Sequence, residues 1–140
     1  MLSQELIVRM SRARAVLRDL NAEVTVASLA KASRLSRSQF ILRFRDVFGD
    51  TPHQTRIRAR LERAQWLLAT TELTVTDICM AVGFSSLGTF SRTFRARCGE
   101  PPVRYRARLA QTAAEQPPSA RLAPHCLSLL AAAWSEPSYF

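Results

Sequence analysis

At 140 residues the chain has room for one domain or two very small ones, and a hydrophobic share of 47% supports a modest core rather than a large internal cavity. Its longest fully apolar run, Leu129 to Trp134, is far too short to cross a bilayer, so no membrane span is expected and the expected location is the cytoplasm. A net charge of +9, from 20 basic residues of which only Lys31 is lysine, points to a polyanion partner, since guanidinium forks pair bidentately with phosphate and with guanine edges.

Leu2, Leu6, Val8, Met10, Ala13, Val16, Leu17 and Leu20 recur at near-helical spacing and predict a first helix ending near Asn21, which would take the left-handed closing position. This helix would lie as a lid over the unit formed by the next two helices. Thr25 caps a short helix through Ala32, the turn Ser33-Arg34-Leu35 comes after it, and Ser36-Arg37-Ser38-Gln39 reads as a capping box. The helix that it opens carries Phe40, Phe44, Val47 and Phe48 on one face and stops at Gly49. Thr51-Pro52 then begins a long helix to about Thr70, roughly 27 Å at 1.5 Å per residue. Its expected buried stripe is Ile57, Leu61, Ala64, Leu67 and Leu68, with Arg56, Arg58, Arg60, Glu62 and Arg63 mostly on the solvated side.

Thr74 and Asp77 make a weaker capping box for a helix through Val82, Gly83 supplies the turn, and Ser85 or Ser86 opens another long helix to Cys98. Pro101-Pro102 and Tyr105 close this part. Beyond Leu109 the composition turns to Ala, Pro, Gln and Ser, which predicts a largely flexible tail with one short helix between His125 and Trp134.

The chain nearly repeats itself. Val26, Leu29, Ala30, Ala32, Leu35, Ser36, Phe40, Phe44, Phe48, Gly49 and Pro52 match Val75, Ile78, Cys79, Ala81, Phe84, Ser85, Phe90, Phe94, Cys98, Gly99 and Pro102, with the offset moving from 49 to 50 between Ser36 and Phe40. Both copies read as helix-turn-helix, a motif whose second helix enters a DNA major groove. The phenylalanines at spacing four belong to the core, so the informative residues lie opposite. At 100° per residue the outward face of the first long helix holds Ser38, Ile41, Leu42, Arg45 and Asp46, and that of the second holds Gly88, Thr89, Ser91, Arg92 and Arg95. Arginine there would read guanine N7 and O6, and apolar groups would touch thymine methyls. Helix N-termini at Ser36 and Ser85 would aim amides at phosphates.

Residues 25–108, about 84 of the 140, resemble the two-subdomain DNA-binding domain of the AraC/XylS family of bacterial transcription regulators. The most specific matches are Arg60-Leu61 with Ala64 and Leu67-Leu68, then Val82-Gly83-Phe84-Ser85-Ser86, Phe90-Ser91-Arg92-Thr93-Phe94, and Gly99-Glu100-Pro101-Pro102 with Tyr105-Arg106. The resemblance implies an all-α fold of about seven helices, in which a linker helix holds two recognition helices one DNA turn apart. The family's base-contacting positions fall on Ser38, Ile41 and Leu42, then on Gly88, Thr89 and Arg92, and Ser91 joins them from the outward-face reading. Ser36, Arg37, Arg43, Arg45, Ser85, Ser86 and Arg95 are the expected backbone or flanking contacts.

The first unit departs from the family pattern at three positions. Leu42 stands where the family usually has arginine, Arg34 replaces a turn glycine, and Thr55 replaces the tyrosine that Tyr105 supplies in the second copy. Leu42 then contacts a thymine methyl, or the helix rotates to present Arg43, or the first unit binds weakly; the sequence leaves the three open.

The expected organisation is an N-terminal helix over residues 1–24, a first helix-turn-helix over 25–51, a linker helix over 52–71, a second helix-turn-helix with its closing helix over 72–109, and the tail over 110–140. With only 24 residues before Thr25 there is no room for a ligand barrel, so the chain resembles stand-alone members that bind double-stranded DNA as monomers, regulated by abundance or by contacts with RNA polymerase. The expected function is a sequence-specific transcription regulator, an activator, with a protein-interaction module or a sequence-neutral DNA binder as the alternatives. Cys79, Cys98 and Cys126 lack paired spacing and His53 lies far from His125, so neither a metal nor a cofactor is expected. No carboxylate pair, Cys-His arrangement or glycine-rich phosphate loop has usable spacing, which argues against an enzyme.

Overall fold

The computed structural model describes residues 3–115, and these form seven helices and no strand. They are α1 (Gln4–Arg18), α2 (Val26–Ala32), α3 (Arg37–Phe48), α4 (Pro52–Thr70), α5 (Val75–Ala81), α6 (Leu87–Cys98) and α7 (Pro102–Glu115). Residues up to Pro102 make one compact unit that includes both helix-turn-helix segments. The tail from residue 116 onward, with the helix expected between His125 and Trp134, lies outside the described residues.

Hydroxyl side chains start each of the first six helices: Ser3, Thr25, Ser36, Thr51, Thr74 and Ser86 each accept the amide three residues on. At Ser36 and Thr51 the box is complete, because Gln39 and Gln54 accept the cap amides in return at 3.2 and 2.9 Å. Thr25 is answered the same way by Ser28. Asp77 instead accepts the Thr74 hydroxyl at 2.7 Å, so the box expected at the start of α5 is half formed.

Both helix-turn-helix turns are Schellman motifs. In the first, Leu35 donates to the Ala30 carbonyl and Arg34 to that of Lys31; in the second, Phe84 donates to Cys79 and Gly83 to Met80, all at 3.0 or 3.1 Å. The motif needs a left-handed residue, supplied by Arg34 at φ 57° and by Gly83 at φ 93°. A Cβ on Gly83 would also come within 3.3 Å of the Arg60 Nε, so a side chain there would have to shift the guanidinium as well as adopt the left-handed φ.

The first core gathers Met10, Ala13 and Leu17 of α1, Leu29 and Ala30 of α2, and Phe40 and Phe44 of α3. The second unit buries Ile78, Cys79, Val82, Phe84, Phe90 and Phe94. Between them α4 buries Thr55, Ala59, Leu61, Ala64, Leu67 and Leu68, while Ile57, expected in the stripe, is only half-buried. α1 packs along α4 and against α3.

Four features depart from the expectations. α1 ends at Arg18 rather than near Asn21, because Asp19 leaves the helix in an extended conformation and accepts the Asn21 amide on its own carboxylate at 3.0 Å. Ser86, one of the two serines expected to open α6, is its cap, which makes Ser85 the extra residue of the second turn and moves the register slip from between Ser36 and Phe40 to just before the caps. α7 continues to Glu115, past the composition change at Leu109. Arg56, Arg58 and Arg60 of α4 are engaged in the fold rather than solvated.

Candidate nucleic-acid interface

The arginines divide into two groups by what they touch. Most of those on α1 and α4 hold the protein together, the exposed Arg12 and Arg63 excepted. Arg9 pairs with Glu5 and donates to the Ser33 carbonyl at 3.4 Å, supporting the end of α2 beside the strained Arg34. Arg14 lies over the Phe48 ring at 4.9 Å, and Arg18 pairs with Glu62 at 3.0 Å. Arg56 reaches from α4 to three main-chain carbonyls, those of Leu17 (3.0 Å), Asp19 (2.6 Å) and Ala22 (3.0 Å), and so fastens the chain between α1 and α2. One helical turn on, Arg60 lies over the Phe84 ring at 5.8 Å and beside Gly83, against the second turn. Burial, and then the neighbouring Arg56 charge, push the Arg60 guanidinium below its usual value. Arg58 pairs with Asp50 at 2.7 Å.

The arginines of α3 and α6 are different. Among the described residues Arg37, Arg45, Arg92 and Arg95 are exposed and carry no ion pair. Arg43 is also exposed but faces Asp46 at 3.9 Å. Exposed guanidiniums without an ion pair thus sit on the two helices whose burial of phenylalanine fixes an opposite, outward face, and Arg12, Arg34, Arg63 and Arg104 are also exposed elsewhere.

On α3, Ser36, Arg37, Ser38, Leu42, Arg43 and Arg45 are exposed, and Ile41 is half-buried. Ile41 lines a shallow cleft with Val26, Arg37, Thr51, Pro52 and His53, so it leans toward the start of α4 rather than straight outward. On α6, Ser85, Ser86, Gly88, Thr89, Arg92 and Arg95 are exposed, and Ser91 is half-buried. Aligned on their caps, the helices correspond position by position: Ser38 with Gly88, Ile41 with Ser91, and Leu42 with Arg92. Each pair has matching exposure, so two sites are built on one plan with different side chains.

Thr89 additionally lines an open cleft of about 660 Å³ between α4 and α6, with Asp50, His53, Ile57, Arg58, Thr93 and Arg97 among its walls. Thr93 and Arg97 were not among the expected site residues, although Thr89, Thr93 and Arg97 repeat at four-residue intervals and so share a helix face.

Cys79 is buried, with burial pushing its thiol up, and Cys98 shifts the same way for the same reason while accepting a hydrogen bond from Gln65 at 3.3 Å. Both act as packing residues that join helices. Among the described residues no group of three or more His, Cys, Asp or Glu side chains gathers as a metal site, and no helix is long and apolar enough to cross a membrane.

A family profile described as a helix-turn-helix domain matches residues 29–108. The chain is 37% identical over 86 residues to the probable transcriptional regulator LumQ of Photobacterium leiognathi, spanning 61% of this chain and 35% of that one. It is also 37% identical over 89 residues to the transcriptional activator RclR of Escherichia coli, spanning 64% of this chain and 31% of the relative. It thus spans about a third of the length of these two relatives. Among solved structures, the DNA-binding domain of the global transcriptional factor AdpA, in complex with a target DNA, superposes with a TM-score of 0.64 at 30% identity, over 81% of this chain and all of that one. An AraC-type regulator from Chromobacterium violaceum gives 0.66 at 28% identity, over 74% of this chain and 94% of its own. With two helix-turn-helix units on one linker helix and a profile match over more than half its length, the chain belongs to the AraC/XylS family of transcription regulators and carries that family's DNA-binding domain.

Proposed function

We propose that this chain regulates transcription, as an activator, by reading double-stranded DNA in a sequence-specific manner with α3 and α6 in successive major grooves. The observation that carries this reading is the sorting of arginines: Arg9, Arg14 and Arg18 of α1 and Arg56, Arg58 and Arg60 of α4 are engaged within the fold, while Arg37, Arg45, Arg92 and Arg95 stand exposed without an ion pair on the two capped helices. Ser38, Ile41 and Leu42 face bases from the first unit, and Gly88, Thr89, Ser91 and Arg92 from the second. Ser36, Arg37, Arg43, Arg45, Ser85, Ser86 and Arg95 hold phosphates. The helix-turn-helix pieces span 25–51 and 72–109, with the linker helix between them. The protein works in the cytoplasm as a monomer on DNA and contacts RNA polymerase. AdpA, similar in fold and 30% identical, was captured on a target DNA, which supports this reading.

A random-library selection with the purified chain at physiological salt, followed by sequencing of the retained duplexes, tests it. Two enriched blocks about ten base pairs apart are expected, from the spacing of successive grooves. Absence of any enrichment, with binding that only weakens as salt rises, would leave a sequence-neutral DNA binder.

A further inference from the structure

We infer that the first unit selects a pyrimidine carrying a C5-methyl group, thymine or 5-methylcytosine, through Leu42, whereas the second selects guanine through Arg92. The inference rests on the DNA reading proposed above and specifies the base chemistry of its two halves. Leu42 is 61% exposed at the register position where α6 places Arg92, so an apolar group stands where its partner helix offers a fork of donors. An exposed leucine on a basic surface has little to gain from water or phosphate. In a major groove it meets one apolar feature, the methyl on pyrimidine C5.

The neighbouring side chains narrow the choice further. Gln39, which could read adenine, has its amide oxygen committed to the Ser36 amide at 3.2 Å. Arg43 is drawn toward Asp46. Turning α3 by one residue, about 100°, to present Arg43 in place of Leu42 would swing Phe40 and Phe44, both fully buried, out of the core. Ser38, one turn before Leu42, contributes only a short hydroxyl, which pairs with any base. The outward middle of α3 is thus an apolar contact at Leu42, with the exposed Arg45 almost a turn further on and assigned above to a phosphate.

The duplex recovered by selection provides the test, with the full chain and fluorescence anisotropy as readout. At the thymine opposite Leu42, deoxyuridine removes the methyl and nothing else. About a fourfold loss is expected, the equivalent of burying one methyl. Cytosine against 5-methylcytosine, each paired with guanine at that position, should show a gain of similar size, and this arm separates the two sources of the methyl. Leu42→Ala should erase both differences while still responding to the second half-site, and Leu42→Arg should move the preference there to guanine. Equal binding of thymine and deoxyuridine, a first half-site without a thymine preference, or a Leu42→Ala protein that keeps the methyl difference would each overturn the inference. Replacing guanine by 7-deazaguanine in the second half-site, which removes the N7 acceptor, distinguishes the failures. If that change weakens binding and the methyl change does not, the DNA reading stands and the methyl inference falls. If no half-site is enriched in the selection, both fall.

Discussion

The two helix-turn-helix units agree in what holds them and differ in what they show. Each closes its turn with the same pair of backbone hydrogen bonds, and each ends its second helix at a left-handed glycine whose amide returns to an arginine carbonyl at 2.8 Å. Each stacks three phenylalanines, but the third ring differs: Phe48, at the end of α3, completes the first set, and Phe84, in the turn, completes the second. The positions exchange with Leu35 and Cys98, so aromatic packing moves along the unit while its extent is kept. Of the outward residues, only the corresponding Arg45 and Arg95 keep such a likeness. In register Leu42 corresponds to Arg92, Asp46 to Ala96, and Ser38 to Gly88. Packing constrains shape on one side of each helix, and the other side is left to diverge with its target.

That comparison can be broken most sharply at Arg92. Arg92→Ala is expected to cost about 1–3 kcal/mol of binding and to flatten preference at a single base in the second half-site, read by repeating the library selection; an unchanged profile would remove α6 from base reading. Next in size is Arg56→Ala. Three carbonyls lose a charged donor, and unfolding in urea should show a loss of about 2 kcal/mol with the selected sequence unchanged. Arg56→Lys should restore only part of it, because an ammonium cannot reproduce the planar fork.

The two turns invite opposite substitutions. Gly83→Ala should destabilise by about 1–2 kcal/mol, because its left-handed φ admits a side chain poorly and the new methyl meets Arg60. Arg34→Gly should do the reverse and stabilise by up to about 1 kcal/mol, the left-handed strain relieved less the extra freedom glycine gives the unfolded chain. Thermal melting of the two variants side by side measures both. No gain for Arg34→Gly would mean that the left-handed φ of Arg34 carries no net cost.

Much of the fold was legible in the sequence because its signals are local. A hydroxyl three residues before a glutamine, a proline after a threonine and a glycine after an aromatic stripe fix helix ends through contacts within one turn, and the bounds of α3 and the start of α4 come from them. Where two residues offered the same chemistry, as Ser85 and Ser86 did, only the backbone decides, since Ser86 alone has the geometry to accept the Thr89 amide. The end of α1 was missed for a similar reason: Asp19 captures the Asn21 amide before Asn21 can close the helix. Least legible were the arginines of α4. Helical periodicity places Arg56 on a solvated side, yet its partners stand 34 to 39 residues earlier in the chain, and no local pattern announces a contact at that distance. The outward faces of α3 and α6 could be named from the positions of their phenylalanines, but which arginines were free to act there depended on which others the core had claimed.

Arg56 and Arg60 sit four residues apart on one rigid helix, about 6 Å along its axis, and the first grips the entry to one unit while the second lies against the turn of the other. Such a pair acts as a gauge block. On the proposed reading, a promoter served by this protein could drift in its letters and lose only part of its response. An added or deleted base pair between the half-sites would turn one of them away from the protein altogether, so selection on such promoters would guard phase more strictly than spelling.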